Sequence, residues 1–168
     1  MKLFITALVA AAAAWPAAVQ GATSSLHVPD GNKPFLDTRA VGVQIYTCNG
    51  SAWTLVAPRA DLYAYNGKRI GTHFGGPTWQ AKDGSRVVGR VVARATFYPT
   101  AIPWLLLEAA STAEGPDGGR FAHTTFIQRF NTTGGLPPAA AACNADEAGT
   151  TAEVPYSAEY RFWKASGV

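Results

Sequence analysis

Charge is scarce in this chain of 168 residues, since Asp, Glu, Lys and Arg together make up only 15% of it. So little charge excludes a highly charged disordered chain and a solvated coiled coil. The net charge of +3 includes no run of Lys and Arg that follows a phosphate backbone, so we expect no nucleic-acid partner. No apolar stretch beyond the N-terminus is long enough to cross a bilayer, so we expect no transmembrane segment after signal cleavage.

Cysteine and histidine are also rare, with two and three copies. No His-x-His or His-Glu-x-x-His spacing is present, and the two cysteines lack the closely spaced partners of a zinc site, so we predict no metal site. The Gly-x-Ser-x-Gly turn of many hydrolases is absent as well. No glycine-rich loop leads into a helix, so the sequence predicts no cofactor.

The N-terminus carries the pattern of a secretory signal. Lys2 gives a positive start, residues 3–14 are almost wholly apolar, and a small residue stands at Gly21. We therefore predict a signal peptide over residues 1–21 and a secreted or periplasmic protein. An uncleaved anchor is the alternative, which the shortness of the apolar stretch disfavours.

The two cysteines predict one disulfide. In an exported chain, Cys48 and Cys143 are most simply interpreted as a bonded pair. The bond would close a loop of nearly a hundred residues, which the chain-entropy account values at about 4–5 kcal/mol. The alternative is a pair of free, buried thiols.

Three turn dipeptides carry most of the fold prediction. Asn49-Gly50, Asn66-Gly67 and Asp83-Gly84 each lie between runs of strand-forming residues. Both central residues of a type I′ turn need positive φ, so such pairs are strong hairpin signals. They predict three hairpins, in which residues 43–48 pair with 53–56, 62–65 with 68–73, and 78–82 with 86–97.

Three later strands are predicted from composition and alternation, over residues 104–109, 121–130 and 156–163. In the last of these we expect one face to point inward, formed by Tyr156, Ala158, Tyr160 and Phe162. The sequence thus predicts an all-β fold of eight or nine strands, either a single antiparallel β-barrel or a β-sandwich built from consecutive hairpins. Residues 41–168 form the single β-domain, and residues 22–40, which are polar and punctuated by Pro and Gly, are predicted to be an irregular lead-in.

Five blocks of sequence also carry a resemblance. In chain order they are GVQIYTC with APRADL (42–48 and 57–62), GTHFGGPTW with DGS (71–79 and 83–85), IPWLLL (102–107), IQR with TTGG and Cys143 (127–129 and 132–135), and YSAEYRF (156–162). Together these blocks resemble the secreted "domain of unknown function 3455" family of bacteria and fungi. The resemblance extends over nearly all of the mature chain.

The resemblance implies a secreted domain whose activity is not established. Some fungal members carry a malate-dehydrogenase-like label. This sequence does not support that label, because it lacks the Gly-x-Gly-x-x-Gly turn that binds a dinucleotide. It also lacks the alternation of strands and helices of such an enzyme.

Three side chains are candidate catalytic groups. His73 adjoins the Gly75-Gly76-Pro77 turn and titrates near neutral pH, although it can equally serve only to support that turn. Glu108 interrupts an apolar run, and a buried carboxylate there needs a partner, with Arg90 and Arg129 as candidates for a structural ion pair. Simple exposure of Glu108 to solvent is the remaining alternative. Asp83 is foremost a turn residue, with a catalytic role as the weaker alternative.

A mixed aromatic and amide lining suits a small-molecule pocket. The candidate ligand-binding residues are Gln44, Tyr46, His73, Trp79, Gln128 and Arg129. A satisfied polar core fits the same residues about equally well. Asn131-Thr132-Thr133 matches the N-glycosylation pattern and matters only in a host that glycosylates.

Three functions remain open at this point. The leading hypothesis is a non-catalytic binding module for a small molecule or a cell-surface component. The second is an extracellular enzyme that uses His73 with Glu108 or Asp83 as acid and base. The third is a structural surface-interaction protein without a pocket, which predicts a broad exposed aromatic patch around Trp53, Trp79 and Trp163.

Overall fold

The computed structural model describes residues 26–167, and the predicted signal peptide over residues 1–21 lies outside them. Eight antiparallel strands follow one another around a closed barrel, in which each strand pairs with the next and the last pairs with the first. The strands are β1 Asn32–Cys48, β2 Trp53–Tyr63, β3 Arg69–Phe74, β4 Thr78–Ala81, β5 Arg86–Ala95, β6 Trp104–Ala113, β7 Thr124–Gly134 and β8 Thr151–Ala165. The all-β prediction is confirmed, with two short 3-10 turns, Ala140–Ala142 and Ala145–Glu147, as the helical segments described. Within residues 26–167 no helix has the length and apolar character needed to cross a membrane.

The three predicted hairpins are present. Residue pairs next to the turns are Cys48 with Trp53 in the first and Gln80 with Arg86 in the third. The turns themselves differ from the type I′ expectation, because only the glycine of each pair has positive φ. The preceding Asn or Asp instead accepts backbone hydrogen bonds through its side chain, as Asn49 does from the Ser51 and Ala52 amides at 3.0 and 2.9 Å.

The prediction of an irregular lead-in over residues 22–40 is wrong from residue 32 onward. These residues form the first half of β1 and pair with β8 from Asn32 opposite Ala165 to Ala40 opposite Ala158. The Pro and polar residues that suggested a loop are accommodated by a register shift between Pro34 and Leu36. The strand is recognisable only from its long-range partner, since its own residues have little β preference.

Aromatic side chains fill one end of the barrel. The predicted inward face of β8 is confirmed, since Tyr156, Ala158, Tyr160 and Phe162 are all buried. Phe121, from the connection between β6 and β7, packs on Phe162 with ring centroids 4.6 Å apart and is fully buried. This end, where β2–β3, β4–β5 and β6–β7 are joined, is therefore closed by its own side chains.

The other end carries the β1–β2, β3–β4, β5–β6 and β7–β8 connections. The long β7–β8 connection is attached to β1 by the Cys48–Cys143 disulfide, whose Cα atoms are 5.4 Å apart. Two further contacts hold its start: the Tyr46 hydroxyl donates to the Gly135 carbonyl at 2.6 Å, and the Ile102 amide donates to the Gly134 carbonyl at 3.0 Å. The rim of this end is thus cross-linked rather than loose.

Candidate functional site

A cavity of about 330 Å³ lies inside the barrel at the cross-linked end. Its wall is formed mainly by apolar and aromatic side chains from the strands and from three of the four connections at this end. The lining residues are Gln44, Tyr46, Leu55, Pro58, His73, Pro77, Trp79, Val91, Arg94, Ile102, Pro103, Leu105, Leu107, Arg129, Leu136, Pro137 and Tyr160. The volume is at the lower end of the range for small-molecule sites, and such a lining is typical of them.

Stacked aromatic rings form part of the cavity wall. His73 on β3 and Trp79 on β4 are directly paired across the two strands, so both side chains point into the barrel. Their ring centroids are 4.2 Å apart and the planes differ by 8°. Tyr160 meets both rings edge-on, at 5.3 Å from each. Beneath this cluster Phe162 continues the aromatic packing toward the closed end.

His73 is held in its neutral form. Its Nδ1–H donates to the Thr78 carbonyl at 2.9 Å, which leaves Nε2 as a hydrogen-bond acceptor. Burial lowers the pKa of His73 from 6.5 to about 3, the Thr78 hydrogen bond opposes that shift, and the positive charge of Arg129 adds to it. At neutral pH the imidazole therefore carries no charge and is a very weak base.

Arg129 brings a positive charge to the cavity wall. Its half-buried side chain lies on β7, and its Nε and Nη2 groups donate to the Pro103 carbonyl at 3.1 and 2.8 Å. The ion pairs among residues 26–167 involve other arginines, so Arg129 faces no carboxylate there. Burial raises the pKa of Tyr46 and of Tyr160, and the Arg129 charge opposes the rise in both.

Several buried polar atoms of the wall have no partner among the described residues. They include the indole N–H of Trp79 and the hydroxyl of Tyr160, which lies close to the Tyr156 hydroxyl and to the Arg129 side chain. Leaving such a group without a hydrogen bond typically costs about 1–3 kcal/mol. The Gln44 amide, on a residue only 2% exposed, belongs to the same wall. The cavity thus combines an apolar surface with a small set of polar groups, the half-buried guanidinium of Arg129 and the exposed Arg94.

A family model for proteins of unknown function, DUF3455, matches residues 29–164. The chain belongs to the DUF3455 family. The matched segment contains every residue of the cavity wall, so the cavity is part of the family domain itself. No curated protein and no solved structure matches the chain.

Five of the six predicted ligand-binding residues of this DUF3455 domain lie on the cavity wall: Gln44, Tyr46, His73, Trp79 and Arg129. Gln128 does not. It follows Ile127 and precedes Arg129, both of which point inward, so strand alternation turns its amide to the outer surface. There it accepts a hydrogen bond from the Trp163 indole at 2.9 Å and donates to the Leu26 carbonyl at 2.8 Å.

The structure does not bring the candidate acid–base residues together. Glu108 lies on the outside of the barrel, 45% exposed, and pairs with Arg90, so the expectation of a buried carboxylate is wrong and that of an ion pair with Arg90 is confirmed.

Asp83 lies in the β4–β5 turn at the closed end and accepts hydrogen bonds from the Ser85 hydroxyl and from the Arg120 amide. Burial acts to raise the pKa of Asp83, but these hydrogen bonds outweigh it and hold that pKa below its ordinary value. Within the described wall of the cavity no residue is Asp or Glu.

The three tryptophans singled out in the sequence do not form one exposed patch. Trp79 is 1% exposed and lies inside the barrel. Trp163 packs on the outside, beneath the segment that carries Leu26 and Val28. Trp53 is half-buried at the start of β2. These positions give no support to a broad aromatic docking face.

The sequence reasoning missed the parts of the wall that come from the connections. Leu136 and Pro137 lie in the β7–β8 connection, and Ile102 and Pro103 lie in the β5–β6 connection. Nothing in the sequence indicates that these two segments meet, because the contact depends on the pairing of β6 with β7. Tyr160 was available from the alternation of β8, which places it inward, but not its position beside His73.

Proposed function

We propose that this protein is a non-catalytic binding module that holds a small molecule in the cavity of its β-barrel. The observation that carries the proposal is the preformed cavity of about 330 Å³ with an aromatic wall and a few convergent polar groups. A ligand that buries apolar surface against Trp79, Leu105 and Leu107 gains about 25 cal/mol per Å². The rim is fixed by the disulfide and by the Tyr46 contact, so little ordering is needed on binding.

Two features favour binding over acid–base catalysis. His73, the histidine of the cavity wall, has a pKa of about 3, far from the value near neutrality at which a general base is most effective. The carboxylates weighed as its partners, Glu108 and Asp83, are engaged elsewhere on the barrel.

We also propose that the protein acts outside the cytoplasm, in the periplasm or the medium. The Cys48–Cys143 disulfide supports this location, because structural disulfides persist in oxidising compartments. The signal-like pattern of residues 1–21 supports it from the sequence.

A pair of neighbouring valines allows a direct test of the cavity as the site. Val91 lines the cavity, whereas Val92 is 42% exposed on the outside of the same strand. We expect a thermal-shift screen of small molecules to yield ligands of the native protein whose binding is lost in Val91→Phe, which fills the cavity. The matched variant Val92→Phe retains the binding.

Retention of every ligand by a folded Val91→Phe variant, or failure of any small molecule to stabilise the native protein, contradicts the proposal. Native mass spectrometry of protein isolated from its own producer gives a second readout. There we expect an added mass that denaturation releases.

A further inference from the structure

We propose that the ligand of the cavity is a small aromatic or apolar carboxylic acid, whose carboxylate binds the Arg129 guanidinium. The inference rests on the proposed function and names the class of ligand. It follows from the charge of the cavity wall, from the kinds of polar atoms it presents, and from its size.

The charge of Arg129 is not balanced by any described carboxylate. Its hydrogen bonds to Pro103 use one Nε–H and one Nη2–H, so three of the five guanidinium donors of an arginine remain. A half-buried charge without a partner is unfavourable, and an anion in the cavity would relieve that cost. Carboxylate is the natural partner, because its two oxygens match the planar fork of the guanidinium.

The other polar atoms of the wall include donors, together with the His73 Nε2 acceptor and the Gln44 amide, which can donate and accept. The buried indole N–H of Trp79 has no partner within residues 26–167, the Tyr160 hydroxyl lies close to the Arg129 side chain and the Tyr156 hydroxyl, and both Trp79 and Tyr160 line the cavity beside Arg129. Donors that converge around one cation select an acceptor-rich anionic group. A cationic ligand is disfavoured by the same wall, because Arg94 at its rim is the other charged lining residue.

The apolar part of the cavity wall indicates the size and character of the ligand beyond its carboxylate. Leu105, Leu107 and Val91 provide apolar surface, and the His73–Trp79 stack presents aromatic edges and faces. One half-buried guanidinium balances a single negative charge, so a monoanionic carboxylate fits better than a dianionic phosphate. The volume of about 330 Å³ suits a molecule with one ring rather than a long lipid.

Titration calorimetry on the intact, oxidised protein with matched acid–amide pairs tests this inference. The probes are phenylacetate with phenylacetamide, and 3-phenylpropionate with its amide, at pH 7 and low salt. The members of each pair have nearly the same size and differ in charge. We expect at least one acid to bind roughly tenfold or more tightly than its amide, and phenylphosphonate, which carries more negative charge at pH 7 than either acid, to bind more weakly than that acid.

Three variants at the two arginines of the wall show which charge makes the protein prefer the acid to its amide. In Arg129→Met the acid and amide affinities are expected to become equal within about twofold, whereas Arg94→Met at the rim keeps the preference for the acid. Arg129→Lys retains the charge but not the planar fork, so it keeps only part of the preference. Near-UV circular dichroism verifies the fold of each variant. If Arg129→Met does not fold, the wild-type pairs together with Arg94→Met decide the question.

The outcomes separate this inference from the proposed function. Equal binding of acids and amides to the wild type overturns the carboxylate inference and leaves the cavity as a binding site for neutral molecules. Loss of discrimination in Arg94→Met, or tighter binding of the phosphonate, also overturns it. If no probe of either kind binds while screening finds other cavity ligands, the aromatic-acid class is wrong. If screening finds none either, both proposals fail.

Discussion

The imidazole of His73 stacks on the indole of Trp79, with 4.2 Å between ring centroids and nearly parallel planes. This contact places a titratable ring inside the barrel, where Tyr160 closes one side and the Arg129 charge acts on it. A protonated imidazole there would lose its hydration and be repelled by the guanidinium. The stack is therefore maintained by keeping His73 neutral.

The free energy of unfolding is expected to decrease as the pH is lowered, because of His73. The unfolded chain takes up a proton at His73 near pH 6.5, whereas the folded protein does so only near pH 3. Between these values the unfolded state binds more protons, so the free energy of unfolding falls as the pH is lowered, by about 1.4 kcal/mol per pH unit from this group. Above pH 6.5 the contribution is fully present. Urea unfolding at pH 7, 5 and 4 measures the slope.

The control for this prediction is His73→Asn, whose amide can still donate to the Thr78 carbonyl but does not titrate. We expect the wild type to lose stability relative to this variant as the pH falls. An NMR titration in which the His73 ring protonates near pH 6.5 in the folded protein contradicts the prediction.

Gly135→Ala is expected to destabilise the rim of the cavity. Gly135 has φ of 77°, and an added Cβ would lie 2.8 Å from the Tyr156 Cβ and 3.2 Å from the Gln44 Cγ. Crowding of this kind costs about 1–3 kcal/mol beyond the strain of the left-handed backbone. Gly149→Ala is the matched control, since its φ of 87° is similar and no atom lies within 4 Å of the added Cβ. Equal losses in the two variants, measured by urea unfolding, argue against crowding.

The double variant Cys48→Ser/Cys143→Ser is expected to lose about 3–5 kcal/mol, because the bond closes a loop with a sequence separation of 95. It also releases the connection that carries Leu136 and Pro137, so any cavity ligand is expected to bind more weakly. Denaturant unfolding and calorimetry measure the two effects. Mass spectrometry after alkylation checks that Cys48 and Cys143 are bonded in the protein. Both sulfurs should react only after reduction.

Gln128→Leu is expected to loosen the outer N-terminal segment without affecting the cavity. The change leaves the Trp163 indole N–H and the Leu26 carbonyl without their partner, at a cost of about 1–3 kcal/mol. Hydrogen exchange is expected to accelerate at the amides of residues 26–28. Ligand affinity should stay within about twofold of the wild type, and a large loss of affinity would return Gln128 to the candidate binding residues.

Glu108→Gln is expected to change the free energy of unfolding by less than about 1 kcal/mol, because the ion pair with Arg90 is exposed to solvent. A double-mutant cycle with Arg90→Met measures the coupling between the two side chains. A coupling of several kcal/mol would mean that the pair is shielded from water in solution.

Residues next to one another in β7 show where sequence reasoning reached its limit. Gln128 and Arg129 were both assigned to one pocket, although neighbours in a strand point to opposite faces. Alternation predicts that the two side chains lie on opposite faces of the strand, but not which of them faces the cavity. The aromatic residues of β7, Phe126 and Phe130, lie on the same outer face as Gln128, so the more aromatic face is not the inner one. The covering segment with Leu26 and Val28 makes that outer face apolar, and only the folded chain reveals it.

Local features could be predicted from the order of the amino acids: the three hairpins, the inward face of β8, and the single pair of cysteines available for a bond. These depend on turn chemistry and on a two-residue period, which act over a few neighbouring residues. Tertiary structure alone decided that β1 begins at Asn32, that the sheet closes as a barrel, and that His73, Trp79, Tyr160 and Arg129 share one cavity. His73 with Trp79 and Arg129 with Tyr160 are direct cross-strand pairs, but the two pairs lie on strands far apart in the chain. Only the closed barrel brings these two pairs together.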